Sequence, residues 1–333
     1  MEPFDRIMDQ MTLRADFLVD RRRLKRSLAL WRLLAIAAAV ALVAGLAFQS
    51  DDFATAIGYK PHIARVNISG LIREDTDREE MLKDIAKSKH VKAVILRVNS
   101  PGGTTVGGES LHRAIQNLRK KKPVVAVFST VATSAAYMAG IASDHVIARG
   151  SSITGSVGVI LQWAEVTELL GKLGIKMEEV KSGALKAIPS PFQPLDEAGR
   201  ALTQEMVSES QKWFVDLVAK SRSIDPGAIP GLTEGRIYSG RQALKLKLID
   251  QLGGEDDAIA WLEEKRKIEK DLKVIDWKAK ESQSTDWLRI TAKSVAIWTG
   301  LPATALDKLF APGNALERVQ LDGLVSVWHA QTN

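Results

Sequence analysis

The chain contains no cysteine in 333 residues. That absence excludes disulfides, thiolate catalysis and cysteine-based metal sites. Histidine is scarce. His62, His90, His112, His145 and His329 are scattered, and none stands in an H-x-x-x-H or H-E-x-x-H spacing, so a metal site has no support. A G-x-S-x-G elbow, a P-loop and a G-x-G-x-x-G turn are all missing, which removes the usual markers of Ser-His-Asp hydrolases and nucleotide binders. Charge of one sign is also in short supply beyond the N-terminus. The net charge is +6, and residues 1–50 carry eight Lys/Arg against five Asp/Glu, half of that excess. The remainder is close to neutral and offers no basic face for nucleic acid. The one basic run, Arg119 to Lys122, reads as the cap of a helix C-terminus.

What the sequence does have is a long apolar run. From Leu33 to Phe48 there is no charged residue, and Leu28 to Trp31 extend the stretch, with Arg32 able to reach the headgroups. The total meets the roughly 20 residues that a membrane-spanning helix needs. Arg21, Arg22, Arg23, Lys25 and Arg26 precede it and Asp51 and Asp52 follow, so the positive-inside rule puts the N-terminus in the cytoplasm and the rest outside. Gly45 and Ala47 form a small-x-small site, the mark of a cleaved signal peptide. The long lead before the run favours an uncleaved anchor instead. The expected organisation is a cytoplasmic segment (1–26), a transmembrane anchor (27–48), a tether (49–60), a main domain (61–271) and a C-terminal helical extension (272–333).

Within the main domain, apolar runs at 62–72, 90–100 and 123–130 read as strands, the last two buried on both faces. Charged or amphipathic segments at 73–89 and 105–120 read as helices between them, and a further helix starts near Ser134. "HVIARGSSITGSVGVIL" offers two short strands around a turn. A long helix follows, capped by Asp196, with Leu202, Met206, Trp213, Phe214 and Leu217 expected to face inward. Residues 256–271 read as helical. The alternation argues an α/β domain with a buried sheet. In the extension, Trp287, Thr291, Val295 and Trp298 form a stripe at helical spacing, suited to a core or subunit interface.

Three places could carry chemistry. In "NSPGGTTVGGESL", Pro101 breaks the strand and Gly102 and Gly103 allow close approach of the backbone to a ligand; the same residues also make an ordinary strand-to-helix turn. Ser134 in "VATSAAYMAG" stands at the matching point after the next strand, where a hydroxyl is either a helix N-cap or a nucleophile. A nucleophile needs a base. With no suitable histidine, a lysine must serve, neutral near pH 7 only if burial lowers its pKa by about three units. Lys186 in "SGALKAIPSP" has the most apolar neighbours of the lysines, although a surface position is equally open to it.

Taken in order, "VNSPGG", "ATSAAYMAG", "TGSVGVI", "VKSGALKAIPSPFQPL" and "GRIYSGRQALKLKLIDQLGG" resemble the signal peptide peptidase A family of membrane-bound serine proteases, in its short, single-repeat form, over residues 62 to 255. The resemblance implies an α/β fold of stacked β-β-α units like the Clp protease and crotonase, after one transmembrane helix. It implies Ser134 as nucleophile, Lys186 as base, Ser156 as the residue orienting that lysine, and an oxyanion hole from Gly103 and the N–H of Ala135. It further implies peptide substrates such as remnant signal peptides, a homo-oligomer and no cofactor. One departure stands out. Ala135 and Ala136 occupy positions where the family usually has glycine. That substitution is the sole support for a non-catalytic envelope scaffold. A crotonase-type acyl-CoA enzyme would leave the anchor and the Ser-plus-Lys pair unexplained.

Overall fold

The structure, a computed structural model, describes residues 31–32, 34–38 and 60–279 and the backbone of 325–327. Most of the expected anchor, the segment before it, the tether up to residue 59 and the tryptophan stripe at 287–298 lie outside the described residues. Residues 31–32 and 34–38 are helical, and no described helix is long and apolar enough to cross a membrane. The chain divides into two units, Met1–Lys60 and Pro61–Asn333, and the sheet belongs wholly to the second.

Three long strands form its centre: β1 (His62–Ile72), β2 (Val91–Thr104) and β3 (Val124–Thr133). They run parallel in the spatial order β3-β2-β1. Each is followed by a helix: α1 (Thr76–Lys87), α2 (Thr105–Arg119) and α3 (Ala135–Gly140). Ala93–Leu96 and Val124–Phe128 are buried without a break, so both faces are covered, as parallel sheets require. Ala64, Val66, Val94, Leu96, Ala126 and Phe128 face the larger core under the helices. Ile63, Ala93, Ile95, Val125 and Val127 face a smaller core under α7 (Glu255–Arg266).

The strands are not straight. Register shifts fall between Ser69 and Leu71 in the β1–β2 ladder and between Val98 and Ser100 in the β2–β3 ladder. These irregularities divide each strand into a first and a second segment, so strand, kink, strand and helix repeat from unit to unit. The same division separates β4 (His145–Ala148), paired with Val125–Phe128, from β5 (Ile153–Gly155), paired with Val131–Thr133. This is the stacked β-β-α pattern. After β5 the chain makes an excursion that lasts until the helix capped by Asp196. Its one helix in that excursion is α4 (Thr167–Lys172), which buries no residue.

Three features depart from the sequence reading. Pro101 does not end β2, which continues to Thr104 because Leu71 and Ile72 still pair with Gly102 and Gly103. In α5 (Glu197–Arg222) the buried positions are Gly199, Thr203, Phe214 and Val218, while Met206 is 45% exposed. The helix's first half touches the excursion rather than the core, with Gly199 against Ile188, so the small residues face inward there. Where a helical extension is read from residue 272, the described residues include strands. β8 (Val274–Trp277) joins β1 in parallel, held by Arg65 on Asp276 (2.6 Å) and by Trp277 Nε1 on His62 Nε2 (3.1 Å), and β9 (Val325–Val327) pairs with β2.

Candidate active site

The second ladder segments carry the site. Ser100 pairs with Ala132, and Thr133 pairs with Gly155, so Ser134 and Ser156 each follow a strand at one common level. The Ser134 N–H donates to the Gly155 carbonyl (2.8 Å), and the Ser156 N–H donates to Arg236 O (2.9 Å). Arg236 leads into β6 (Ile237–Ser239), which pairs antiparallel with β5, so the "GRIYSG" motif is the buttress of Ser156. On the other side, Thr133 Oγ1 donates to Pro101 O (3.1 Å) and ties the end of β3 to the Pro-Gly-Gly stretch. Gly102 N–H donates to Ser100 Oγ (3.1 Å). Thr133, Gly155 and Arg236 were not singled out from the sequence. The adjacency of the threonine to Ser134 was the one available signal.

Ser134 is 1% exposed and stands at the N-cap position of α3, yet its side chain makes no capping bond. Its backbone, at φ 57° and ψ −123°, lies outside the extended region that N-cap residues adopt. A non-glycine residue there costs about 1–3 kcal/mol, and such strain clusters at functional positions. The ordinary N-cap role is therefore not what this serine performs. Behind it, α3 is completely buried, and Tyr137 donates from its hydroxyl to Leu248 O (2.9 Å). Burial pushes that phenol well above its usual range.

Two glycines make room for the site. A methyl on Gly103 would lie 1.8 Å from the Ile72 carbonyl oxygen, so the β1–β2 contact admits only glycine. A methyl on Gly108 of α2 would lie 2.9 Å from Cβ of Ala135 and 3.1 Å from Sδ of Met138. The extra methyl of Ala135, relative to the expected glycine, is thus housed against Gly108. The first-turn N–H groups of α3, that of Ala135 among them, have no carbonyl a full turn earlier within the helix to receive them.

Lys186 stands apart. It is exposed, in a turn of the excursion, where its backbone N–H donates to Gly183 O (3.1 Å). Its side chain makes no hydrogen bond or ion pair among the described residues. The desolvation that a lysine base requires is not supplied by the described part of one chain. On the same excursion, Leu169, Leu173, Met177, Val180 and Leu185 are all at least half exposed. Among the described residues no cluster of His, Asp and Glu could hold a metal ion.

Comparison with known proteins bears on these positions. The model of peptidase family S49 matches residues 116–269. A provisionally named protease of Methanocaldococcus jannaschii is 39% identical over 55% of this chain and 59% of its own. A provisionally named signal peptide peptidase of Enterococcus faecium is 36% identical over 69% of this chain and 66% of its own. The chain therefore spans three-fifths to two-thirds of the length of these relatives. A provisionally named protease of Synechocystis sp. is 34% identical over 60% of this chain and 72% of its own. Among solved structures, a mutant of the 1510-N membrane-bound stomatin-specific protease is 14% identical, with a TM-score of 0.45 over 66% of this chain and 99% of that one. Sequence identity of 34% over 72% of the Synechocystis protein, together with the family match over residues 116–269 that contain Ser134 and Ser156, makes the chain a member of peptidase family S49, the signal peptide peptidase A family of serine peptidases.

Proposed function

We propose that the chain is a membrane-anchored serine endopeptidase that cuts hydrophobic or unfolded peptides, remnant signal peptides among them, on the outer side of the cytoplasmic membrane. The strained backbone of Ser134 carries this reading. A serine that forgoes capping, at the end of a central strand and beside a glycine edge, fits a nucleophile better than a structural hydroxyl. The anchor and its orientation rest on the charge asymmetry around residues 27–48.

In this mechanism neutral Lys186 accepts the Ser134 proton as Oγ bonds to the scissile carbonyl carbon. Ser156 holds the lysine amine in line. The tetrahedral oxyanion takes N–H donors from Ala135 and Gly103. Pro101 has no N–H and Gly102 commits its own to Ser100, which leaves Gly103 as the donor of that turn. Each donor is worth about 3 kcal/mol of barrier. The lysine then protonates the departing amine as the C–N bond breaks. Water, deprotonated by Lys186, hydrolyses the acyl-enzyme and restores the Ser134 hydroxyl.

Exposed Lys186 fits this scheme only when its surroundings are covered. The apolar side chains around it favour assembly into a homo-oligomer, in which a neighbouring copy or the bound peptide excludes water and favours the uncharged amine. The experiment is labelling of the full chain with a fluorophosphonate probe, alongside cleavage of a hydrophobic peptide. Ser134→Ala is expected to abolish labelling, and Ser134→Ala and Lys186→Ala each to lower cleavage at least about a thousandfold. Undiminished cleavage by either variant, or no reaction of Ser134 with the probe, overturns the reading.

A further inference from the structure

Gly108, His112 and Arg119 recur along α2 at helical spacing, and each meets α3 or the chain just past it. Gly108 lies against Ala135 and Met138. Arg119 donates from Nη1 to the Ala142 carbonyl (3.3 Å) and the Ser143 carbonyl (3.1 Å). Between them His112, 4% exposed, meets the Met138 carbonyl through Nδ1 at 2.7 Å.

That carbonyl needs a side-chain partner. α3 has six residues, and the N–H that would reach Met138 O in a longer helix, that of Ala142, goes to Ala139 O instead (3.2 Å). The other end of the same residue is tied to Ser134, because Met138 N–H donates to Ser134 O (2.9 Å). Through hydrogen bonds, a single residue separates His112 from Ser134.

The bond also fixes the state of the ring. A carbonyl only accepts, so Nδ1 carries the hydrogen, and in the neutral ring Nε2 then holds a lone pair. Nε2 is buried and has no partner among the described residues. A second proton would place a charge there with no acceptor for its N–H. Burial, joined by the charge of Arg119, holds the imidazole below its usual range, against the pull of the Met138 carbonyl and Glu109. Of the elements packed on α2, α3 and β9 carry no charged residue, α1 gives Glu79 to Ser110 Oγ, and β2 keeps Lys92 and Arg97 exposed.

We propose that His112 is a positioning residue for Ser134. As the neutral ring it caps α3 through the Met138 carbonyl and holds the start of that helix in place. A second proton, which its site cannot accommodate, releases the clamp. The clamp stands on the packing of α2 against α3, while its effect on cleavage rests on the peptidase reading.

The test uses the full chain in detergent with two variants. His112→Asn places an amide N–H where the Nδ1–H stands and does not titrate; His112→Phe keeps a ring and loses the donor. At about pH 8, His112→Phe is expected to lower kcat for a hydrophobic peptide and fluorophosphonate labelling of Ser134 by about fivefold to tenfold, the worth of one hydrogen bond, with KM unchanged. His112→Asn should match the parent. As pH falls through and below the ordinary histidine range, the labelling rate of His112→Asn divided by that of the parent should rise, a ratio in which the lysine base cancels. The nitrogen-15 signals that His112→Asn removes should report a neutral ring protonated on Nδ1 near neutral pH. Should His112→Phe fail to fold, His112→Leu takes its place. Full rate in His112→Phe, no recovery in His112→Asn, or a ratio constant with pH overturns the proposal. If Ser134 takes no label in any form, the peptidase reading falls and hydrogen exchange of the Met138 amide decides the clamp: faster exchange in His112→Phe than in His112→Asn sustains it, and equal rates overturn it.

Discussion

One methyl group decides how closely α2 and α3 approach. Gly108 lies inside a helix, where replacement by alanine ordinarily stabilises by about 1 kcal/mol. Here the new Cβ would meet Ala135 Cβ at 2.9 Å and Met138 Sδ at 3.1 Å, and overpacking of that kind costs about 1–3 kcal/mol. The clash wins. Gly108→Ala is expected to lower stability by about 1–2 kcal/mol in chemical denaturation and to slow labelling of Ser134 by displacing the start of α3. Adding Ala135→Gly should restore both, since it removes the opposing methyl. Loss of stability that the second substitution does not relieve would show that the two residues are not packed as described. This pairing also answers the departure seen in the sequence, because an alanine after Ser134 is compatible with the fold once a glycine faces it. No inspection of residues 134–136 alone could have found that partner.

At the scale of elements, Arg222 at the end of α5 holds the chain that leads into β7 (Gln251–Leu252). Its guanidinium forms a fork on Asp250 (2.6 and 3.0 Å), whose carboxylate also accepts from Val146 N–H of β4 (2.8 Å). Burial alone would raise the Asp250 carboxyl, but Arg222, the Val146 N–H and His145 outweigh it and hold the group below its usual value. A carboxylate with a depressed folded-state pKa stabilises above its unfolded pKa, near 4, and loses that contribution as pH falls through the folded value. Asp250→Asn should therefore cost about 1 kcal/mol at pH 7, a modest figure because the pair is partly solvated. Its stability should converge with the parent's as pH falls below the ordinary carboxylate range and through the depressed folded value, followed by urea unfolding across pH. A constant difference at all pH values would remove the charge from the explanation. Elements of this kind were largely legible beforehand. The strand at 62–72, the apolar run at 123–130 that becomes most of β3, and the Asp196 cap follow from apolar runs and cap chemistry, which are local. Continuation of β2 past Pro101 was not legible, since it depends on Ile72 and Val327, distant in sequence. On α5, Trp213, Phe214 and Leu217 pack on the core as expected, while Met206 looks outward because the first half of the helix meets the excursion instead. Of the proposed site, Ser134, Ser156 and Gly103 stand in ordered motifs, whereas the backbone supports at Thr133, Gly155 and Arg236 emerge only from strand pairing.

The whole molecule is unevenly finished. The sheet and its helices bury their apolar side chains, while the excursion between β5 and α5 presents Leu169, Leu173, Met177, Val180 and Leu185 to solvent. A concentration of this kind on the segment bearing Lys186 is what the proposed homo-oligomer would cover. Leu173→Asp with Val180→Asp is expected to reduce the mass of the detergent-solubilised protein in light scattering and to lower peptide cleavage with it. Unfolding should change by no more than about 0.5 kcal/mol, because neither side chain contributes to the core. An unchanged mass with normal cleavage would count against assembly through this face.

The single rung joining Thr133 to Gly155 also limits how this molecule can vary in length. An insertion in the turn from Arg149 to Ser152 would slide β5 by one position, and a one-residue slide presents the opposite side of every residue after it. Ser156 would then leave the level of Ser134, and buried Thr154 would lose its bond to the Ala132 carbonyl. Extra residues beyond Val157 would leave this register untouched, whereas the same addition a few positions earlier would be ruinous.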